Sequence, residues 1–450
     1  MSDPAIQQAS PVDIGQLLDE GPFTLFQILV IVLAATVTVL DGLTNQLIGF
    51  AIPSIAREWA LKPGAFAPAV AAGLFGMSIG SACVGPCADR FGRRWALIVC
   101  VLAFGISTSL VNLATSVTSL SLLRFVASLG VGGAVPISST MAAEFSPLRR
   151  RTLAVTATVV CFPLGGMVAG LFAGWLLPSH GWRALFLASG AVPIVIFFLL
   201  LVGLPESPRF LARRPDRRPE LTRLLARMAR PVASYTEFAD RSEQASAHRQ
   251  GFSSLFNPQY RRDTIALWCS FFMLMLAIYS TFSWLPTMLV SAGLSGAIAS
   301  SGLTVHNMGG VLGAILCALV VSRLGSRWPM LACCAGAALS VLFLRQLQLR
   351  NHTFLLLIGL GANGLFLNAV QCTMFALAAY IYPTSIRATG TASGLAFGRL
   401  GAVLSAFAGA AVIVAAGPSG YLLMLAAAMA LVFVALASVR HHIPPLSKAD

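Results

Sequence analysis

Twelve stretches of this chain are each long and apolar enough to cross a bilayer, and that restricts the fold more than any other feature. They fall at about 24–52, 65–88, 95–116, 118–143, 152–178 and 182–203, then, after a polar loop, at about 264–290, 298–321, 328–346, 353–379, 389–416 and 419–439. About 20 apolar residues span the hydrocarbon core, where a chain must satisfy its own backbone hydrogen bonds. The expected fold is an all-α integral membrane protein: twelve transmembrane helices in two six-helix bundles, 24–203 and 263–439. A tail at 1–23, a central loop at 204–262 and a second tail at 440–450 complete it. Charge supports this, because only 10% of the 450 residues are charged against about 25% in soluble proteins.

The net charge of +14 reflects topology rather than nucleic-acid binding. With the N-terminal tail inside, 23 of the 30 basic residues lie on the inner side: Arg90, Arg93, Arg94, Arg149, Arg150, Arg151, twelve arginines of the central loop, Arg323, Arg327, Arg387, Arg440 and Lys448. Five lie outside (Arg57, Lys62, Arg183, Arg345, Arg350), and Arg124 and Arg399 fall within spans. The positive-inside rule then puts both termini in the cytoplasm and the protein in the cell (inner) membrane. The first 20 residues carry four acids and no Lys or Arg, so they are read as a retained tail rather than a signal peptide. Within the loop, Leu221, Leu224, Leu225 and Met228 fall at helical spacing, giving either an amphipathic helix on the membrane surface or a linker.

The two halves repeat. Residues 80–95 read GSACVGPCADRFGRRW and 313–328 read GAILCALVVSRLGSRW, with Gly, Arg, Gly, Arg and Trp recurring at an offset of 233. A second echo sets Pro147 and Arg151 against Pro383 and Arg387. Parallel repeats of this kind build alternating-access transporters, with the site between the halves near mid-membrane.

The stretch Gly85-Pro-Cys-Ala-Asp89-Arg90-Phe-Gly92-Arg93-Arg94 resembles the signature loop of the major facilitator superfamily. The resemblance implies that Gly85, Asp89, Arg90, Gly92, Arg93 and Arg94 form a gate, with Arg323 and Arg327 in the second copy. That copy has Ser322 where Asp89 stands and should lack the charged latch. Within the superfamily the chain is similar to the aromatic acid:proton symporters along nearly its whole length. Asp41-Gly42, the run RFVASLGVGG from Arg124, the run PESPRFL from Pro205, Ser283-Trp-Leu-Pro286, the run YPTSIRATG from Tyr382 and Gly398-Arg399-Leu-Gly401 carry that likeness. The family pattern in the first span is Asp-Gly-x-Asp; here the second acid is Thr44, which leaves proton stoichiometry open.

Among the acids only Asp41 and Glu144 lie well inside predicted spans, so they are the proton-coupling candidates. An ionised acid at mid-depth costs on the order of 2.5–3.5 kcal/mol on insertion scales and signals function. Asp41 lies ~16 Å and Arg124 ~10 Å below the outer ends of their helices. Arg124 therefore either pairs with Asp41 or snorkels outward. Glu144, beside Pro147 and the arginines after it, fits an ion pair at the inner gate or a proton relay. A substrate with a ring and a carboxylate needs a cation, donors and aromatic surfaces. The candidates are Asp41, Thr44, Asn45 and Arg124 in the first half, and Tyr279, Trp284, His306, Asn307, Asn363, Asn368, Gln371, Tyr380 and Arg399 in the second.

Enzymatic readings fail on inventory. Lys62 and Lys448 are the only lysines and precede Pro63 and Ala449, so there is no Walker A loop. No metal site or cofactor is implied, and the nine cysteines lie in apolar stretches where packing explains them. The expected function is proton-coupled uptake of an aromatic or related organic acid by a monomer. Its partners are that small acid, protons and the lipid bilayer, with no nucleic acid. Export by proton antiport and a non-transporting sensor are the alternatives.

Overall fold

The computed structural model describes residues 12–232, 238–239, 252–347, 351–383 and 386–445; Arg350 and Lys448, counted above as outer and inner charges, lie outside them. A two-residue strand β1 (Val12–Asp13) leads into a short helix α1 (Ile14–Glu20). Long helices follow: α2 (Leu25–Glu58), α3 (Ala67–Phe91), α4 (Arg93–Leu110), α5 (Val117–Glu144) and α6 (Leu148–Gly203). The connecting segment carries α7 (Pro208–Ala212), α8 (Arg218–Arg227) and β2 (Phe238–Ala239), which pairs in parallel with β1. The second half comprises α9 (Arg261–Ser291), α10 (Gly296–Leu324), α11 (Arg327–Gln346), α12 (Thr353–Ile381) and α13 (Arg387–Ser438).

Ten of the described helices are long and apolar enough to cross a membrane. Two of them are each double spans. The 56 residues of α6 would reach about 84 Å as one helix, far beyond a ~30 Å hydrocarbon core. The backbone leaves helical geometry at Gly181 (φ 75°) in α6 and at Gly417 (φ 63°) in the 52-residue α13. Twelve spanning lengths result, joined at these two points by a sharp bend instead of a loop. Large apolar side chains cover the outside, with Val202 92% and Leu25 84% exposed, an arrangement that suits lipid and not water.

The sequence repeat is also a packing repeat. Gly92 ends α3 at φ 105° and Gly325 ends α10 at φ 75°. The Gly92 amide bonds Ala88 at 3.0 Å and the Gly325 amide bonds Val321 at 2.9 Å, the same offset of 233. A Cβ built on Gly80 would sit 2.1 Å from the Leu129 carbonyl, and one on Gly313 would sit 2.0 Å from that of Leu365. So α3 crosses α5 as α10 crosses α12, backbone against backbone, as small residues allow in membrane helices. In the same way α2 packs on α6 and α9 on α13.

The first and last described segments, the α3–α4 turn and the α10–α11 turn lie at one end of the bundle, called here the termini end. The tail is structured there: Ile14 and Leu18, one turn apart on α1, are buried, Asp19 pairs with Arg151, and Arg230 donates to the Leu18 carbonyl at 3.0 Å. Helix α8 forms where the leucine spacing predicts it, but Leu221 and Leu225 are fully buried within the protein. Its apolar face is therefore spent on protein packing and not on the membrane surface.

Gly92→Ala is expected to lower the melting temperature more than Gly181→Ala. Both sit at positive φ, where a side chain costs about 1–3 kcal/mol. At Gly92 the new Cβ would also lie 2.2 Å from the Glu206 carboxylate, while nothing lies within 4 Å at Gly181. Equal losses would mean that the Glu206 contact yields freely.

Candidate functional site

Midway along α2, Asp41 lines a cavity of about 110 Å³ between the two halves, together with Tyr279, Asn368, Gln371 and Arg399. Valines, Met77, Phe162 and Phe375 make most of the remaining wall. Asp41 is 2% exposed and its Oδ1 has no hydrogen-bond partner. The cation whose field acts on it is Arg399, from α13. Arg399 donates through Nη1 to the Tyr279 hydroxyl at 3.2 Å, and its buried Nε has no partner. The cavity therefore sets one carboxylate from the first half against one guanidinium from the second, with a phenol, two amides and an apolar wall around them.

Towards the end opposite the termini the halves close. Gln46 and Asn307 exchange two hydrogen bonds, 3.2 Å from Gln46 Nε2 to Asn307 Oδ1 and 2.7 Å from Asn307 Nδ2 to Gln46 Oε1. Both side chains are fully buried. One turn further, Gly49 lies so close to Phe282 that a Cβ would sit 2.1 Å from its carbonyl oxygen. The rings of Phe162 and Phe282 meet at 6.0 Å above the cavity.

The expected pair of Asp41 with Arg124 is not made. Arg124 is 4% exposed and donates to the main-chain carbonyls of Thr44 at 2.8 Å and Asn45 at 3.2 Å. It binds the neighbouring helix end-on and neither snorkels nor reaches the acid. Several substrate candidates lie away from the cavity because a closer partner holds them. Asn363 donates to the Ala337 carbonyl and to Ser340, Asn45 to the Met77 sulfur, and Asn307 to Gln46. Trp284 is buried against the Gly409 backbone, His306 packs edge-on to Phe282, and Tyr380 is 48% exposed. The Thr44 hydroxyl is buried without a partner.

The architecture matches a known family model, the Major Facilitator Superfamily, over residues 34–345. The chain belongs to that superfamily. It is 34% identical to a gallate transporter of Pseudomonas putida over 90% of this chain and 89% of the relative. It is 33% identical to the 4-hydroxybenzoate transporter PcaK of Acinetobacter baylyi, again over 90% and 89%. Among solved structures, the xylose transporter XylE of E. coli in an inward-open conformation aligns at TM-score 0.74 with 18% identity, covering 94% of this chain and 98% of that one. This is a membrane transporter, and the family is not one of enzymes.

The superfamily's signature loop is anchored by its own half and by the connecting segment that follows it. Arg93 pairs with Glu144, donates to Ser207 at 3.1 Å and meets Asp89 at 3.4 Å; Ser207 in turn donates to Glu144. The Arg94 amide donates to Glu206 at 3.1 Å and its guanidinium to the Leu201 carbonyl at 2.6 Å. Arg90 contributes its carbonyl to Arg214, and no side chain would meet a Cβ at Gly85. Glu144 thus belongs to an ion-pair network at the termini end and does not line the Asp41 cavity. In the second copy Arg323 and Arg327 are exposed, and Ser322 bonds its own helix at Leu319.

Gln46, Glu206 and Ser207 escape a reading by charge. Gln46 carries the same signal as Asp41, a polar group in an apolar span. Glu206 and Ser207 sit in the PESPRFL run, which marks the family without showing that it braces Arg93 and Arg94.

Two outcomes follow from these contacts. Glu144→Ala leaves Arg93 without its principal acid and should cost about 3 kcal/mol, whereas Asp89→Asn, on a carboxylate 62% exposed, should cost under about 1 kcal/mol. Melting temperatures in detergent rank the two, and the reverse order would refute the assignment. Gln46→Ala and Asn307→Ala should each cost about 1–3 kcal/mol by stranding a buried amide. The double variant should be no worse than the worse single; simple additivity would mean that the amides do not act as a pair.

Proposed function

We propose that this chain imports an aromatic monocarboxylic acid together with a proton by alternating access, with both termini in the cytoplasm. The observation that carries the reading is the Asp41–Arg399 arrangement: opposite charges, one from each half, lining one cavity between the halves. The similarity to gallate and 4-hydroxybenzoate transporters supports the substrate class. The arginine bias towards the termini end supports the orientation.

The chemistry runs through charge balance. A guanidinium takes a carboxylate through two parallel N–H donors. Tyr279, Asn368 and Gln371 can bond ring hydroxyls, and Phe162 and Phe375 cover the ring faces. When the substrate carboxylate occupies Arg399, Asp41 loses its counter-charge within the cavity. A lone ionised acid is costly in an apolar interior, so the loaded carrier crosses with Asp41 as the neutral acid. Release of the anion returns Arg399 to Asp41 and frees the proton on the same side. The halves rock about the cavity, opening the Gln46–Asn307 contact on the outer face as the termini end closes.

Thr44 stands where related symporters have a second acid, so Asp41 is the lone carboxylate of the cavity. One proton per monoanion makes each cycle electrically neutral. In proteoliposomes, accumulation of 4-hydroxybenzoate or gallate should follow an imposed pH gradient and ignore a potassium-diffusion potential. Potential-driven uptake without a pH gradient would disprove the one-proton stoichiometry. Asp41→Asn should retain exchange of internal for external acid but lose pH-driven accumulation. Arg399→Gln should lose binding at the central cavity and, with it, transport; accumulation by the Asp41→Asn variant at the wild-type level would sink the coupling role.

A further inference from the structure

A second cavity, of about 270 Å³, lies between the halves on the far side of the Gln46–Asn307 contact. Helix α2 contributes Phe50, Pro53, Ser54 and Arg57; α6 contributes Ala173, Leu177 and Pro178; α9 and α10 contribute Pro286, Val290 and Ser300. Gln46, Phe50, Pro53 and Arg57 are spaced 4, 3 and 4 residues apart, one face of a helix. The face that makes the inter-half contact thus continues into this cleft and ends on a cation.

Arg57 stands out by its lack of partners. Its neighbour Glu58 is taken by Arg183 and by the Trp182 indole, which donates at 2.6 Å. Arg345, another cation of this face, bonds Ser419 at 2.8 Å. The Arg57 side chain has neither ion pair nor hydrogen bond to any described residue and is exposed at the cleft. Basic residues are disfavoured on the outer side, so one left without an acid at the mouth of the inter-half cleft calls for a ligand-based explanation. The remaining wall is apolar, with the hydroxyls of Ser54 and Ser300. A 150 Å³ apolar cavity suffices for benzene, so this one accommodates a ring with its carboxylate on Arg57.

We propose that this cleft is an outer docking site for the aromatic carboxylate, holding it at Arg57 before the Gln46–Asn307 contact opens. The inference rests on the orientation and substrate class proposed above. It adds a second station on the path: the anion is captured by Arg57, passes the amide pair and the Phe162–Phe282 rings, and is received by Arg399. Along α2, Arg57 and Asp41 are about 24 Å apart, so the two sites are separate and can be occupied independently.

The test uses purified full-length protein with 4-hydroxybenzoate as probe. By titration calorimetry or saturation-transfer NMR, Arg399→Gln should remove the central site and leave weaker binding. Added Arg57→Glu, or raised ionic strength, should abolish that remainder. In proteoliposomes, Arg57→Glu should raise KM several-fold at unchanged kcat, Arg57→Lys should restore most of the loss, and Arg345→Gln should leave KM alone. No residual binding in the Arg399→Gln protein, residual binding indifferent to Arg57→Glu, or a fall in kcat at constant KM would each overturn the proposal. So would displacement of the probe by phosphatidylglycerol headgroup as effectively as by benzoate, which would assign Arg57 to lipid. Failure of the wild-type protein to accumulate any aromatic acid, with the Arg57-dependent binding intact, would reject the transport reading and leave the docking site standing.

Discussion

The structure turns on one unsatisfied charge. Asp41 sits in an apolar interior with an oxygen that no donor reaches, and its counter-charge, Arg399, stands on the other half of the molecule. A buried carboxylate without a partner is expensive, and a pair divided between two bodies is stabilised only while those bodies hold a particular spacing. The relative position of the halves and the charge state of the cavity are thus linked before any ligand is considered. Neutralising either member, by a proton on Asp41 or a carboxylate on Arg399, would remove the attraction that the other feels across the interface. Coupling of this kind needs two states with different contacts for the same groups, and under the proposed mechanism a charge pair split between the halves provides them.

For such a pair to act on whole bodies, each body must be stiff. The close backbone crossings at Gly80 and Gly313 supply that stiffness, since helices in direct backbone contact cannot shear without collision. The interface between the halves is built differently. Its polar contact, Gln46 with Asn307, joins neutral amides, whose net hydrogen-bond contribution is about 1 kcal/mol each, well below that of a buried ion pair. Parting such a contact would leave no stranded charge. Arg124, which does carry charge, instead donates through both Nη atoms to the carbonyls of Thr44 and Asn45 inside its own half, so it does not tie the halves together.

Most of the scaffold is legible in the sequence because hydrocarbon permits so few solutions. Apolar length predicts the spans, and the glycines at 181 and 417 fall where two spans meet without a polar loop. The 233-residue offset foretells paired crossings. The partner of Asp41 is not legible. Arg124 and Arg399 both lie within spans, and the choice between them depends on how each helix is rotated about its axis, which spacing along one helix cannot reveal. Polar residues such as Asn363 and Asn307 mislead for a related reason: an amide in an apolar span must face something polar, but a neighbouring helix meets that need as well as a ligand does. The docked tail is missed because α1 is seven residues long with three large apolar ones, Ile14, Leu17 and Leu18, too few for a periodic signal to emerge.

The repeat is symmetric in backbone and asymmetric in charge, and the asymmetry has a physical logic. After α3 the turn at Gly92 is braced by acids brought from elsewhere in the chain: Glu144 of α5 on Arg93, and Glu206 of the connecting segment on the Arg94 amide. After α10 the matching turn at Gly325 is braced by the chain's last segment, with the Ser326 amide donating to the Ile443 carbonyl and the Ile443 amide to the Ser326 hydroxyl, each at 2.9 Å. Asp263, at the start of α9, holds that same segment through the Arg440 amide and the His441 ring. The first half therefore fixes its turn on an arginine–glutamate network, and the second on hydrogen bonds of Ser326 to a segment that Asp263 holds in turn. Ser322 in place of an acid fits a turn that has no arginine network to complete. Charge at the termini end is thus divided between the Arg93–Glu144 network after α3 and the Asp263–His441 contact at the start of α9.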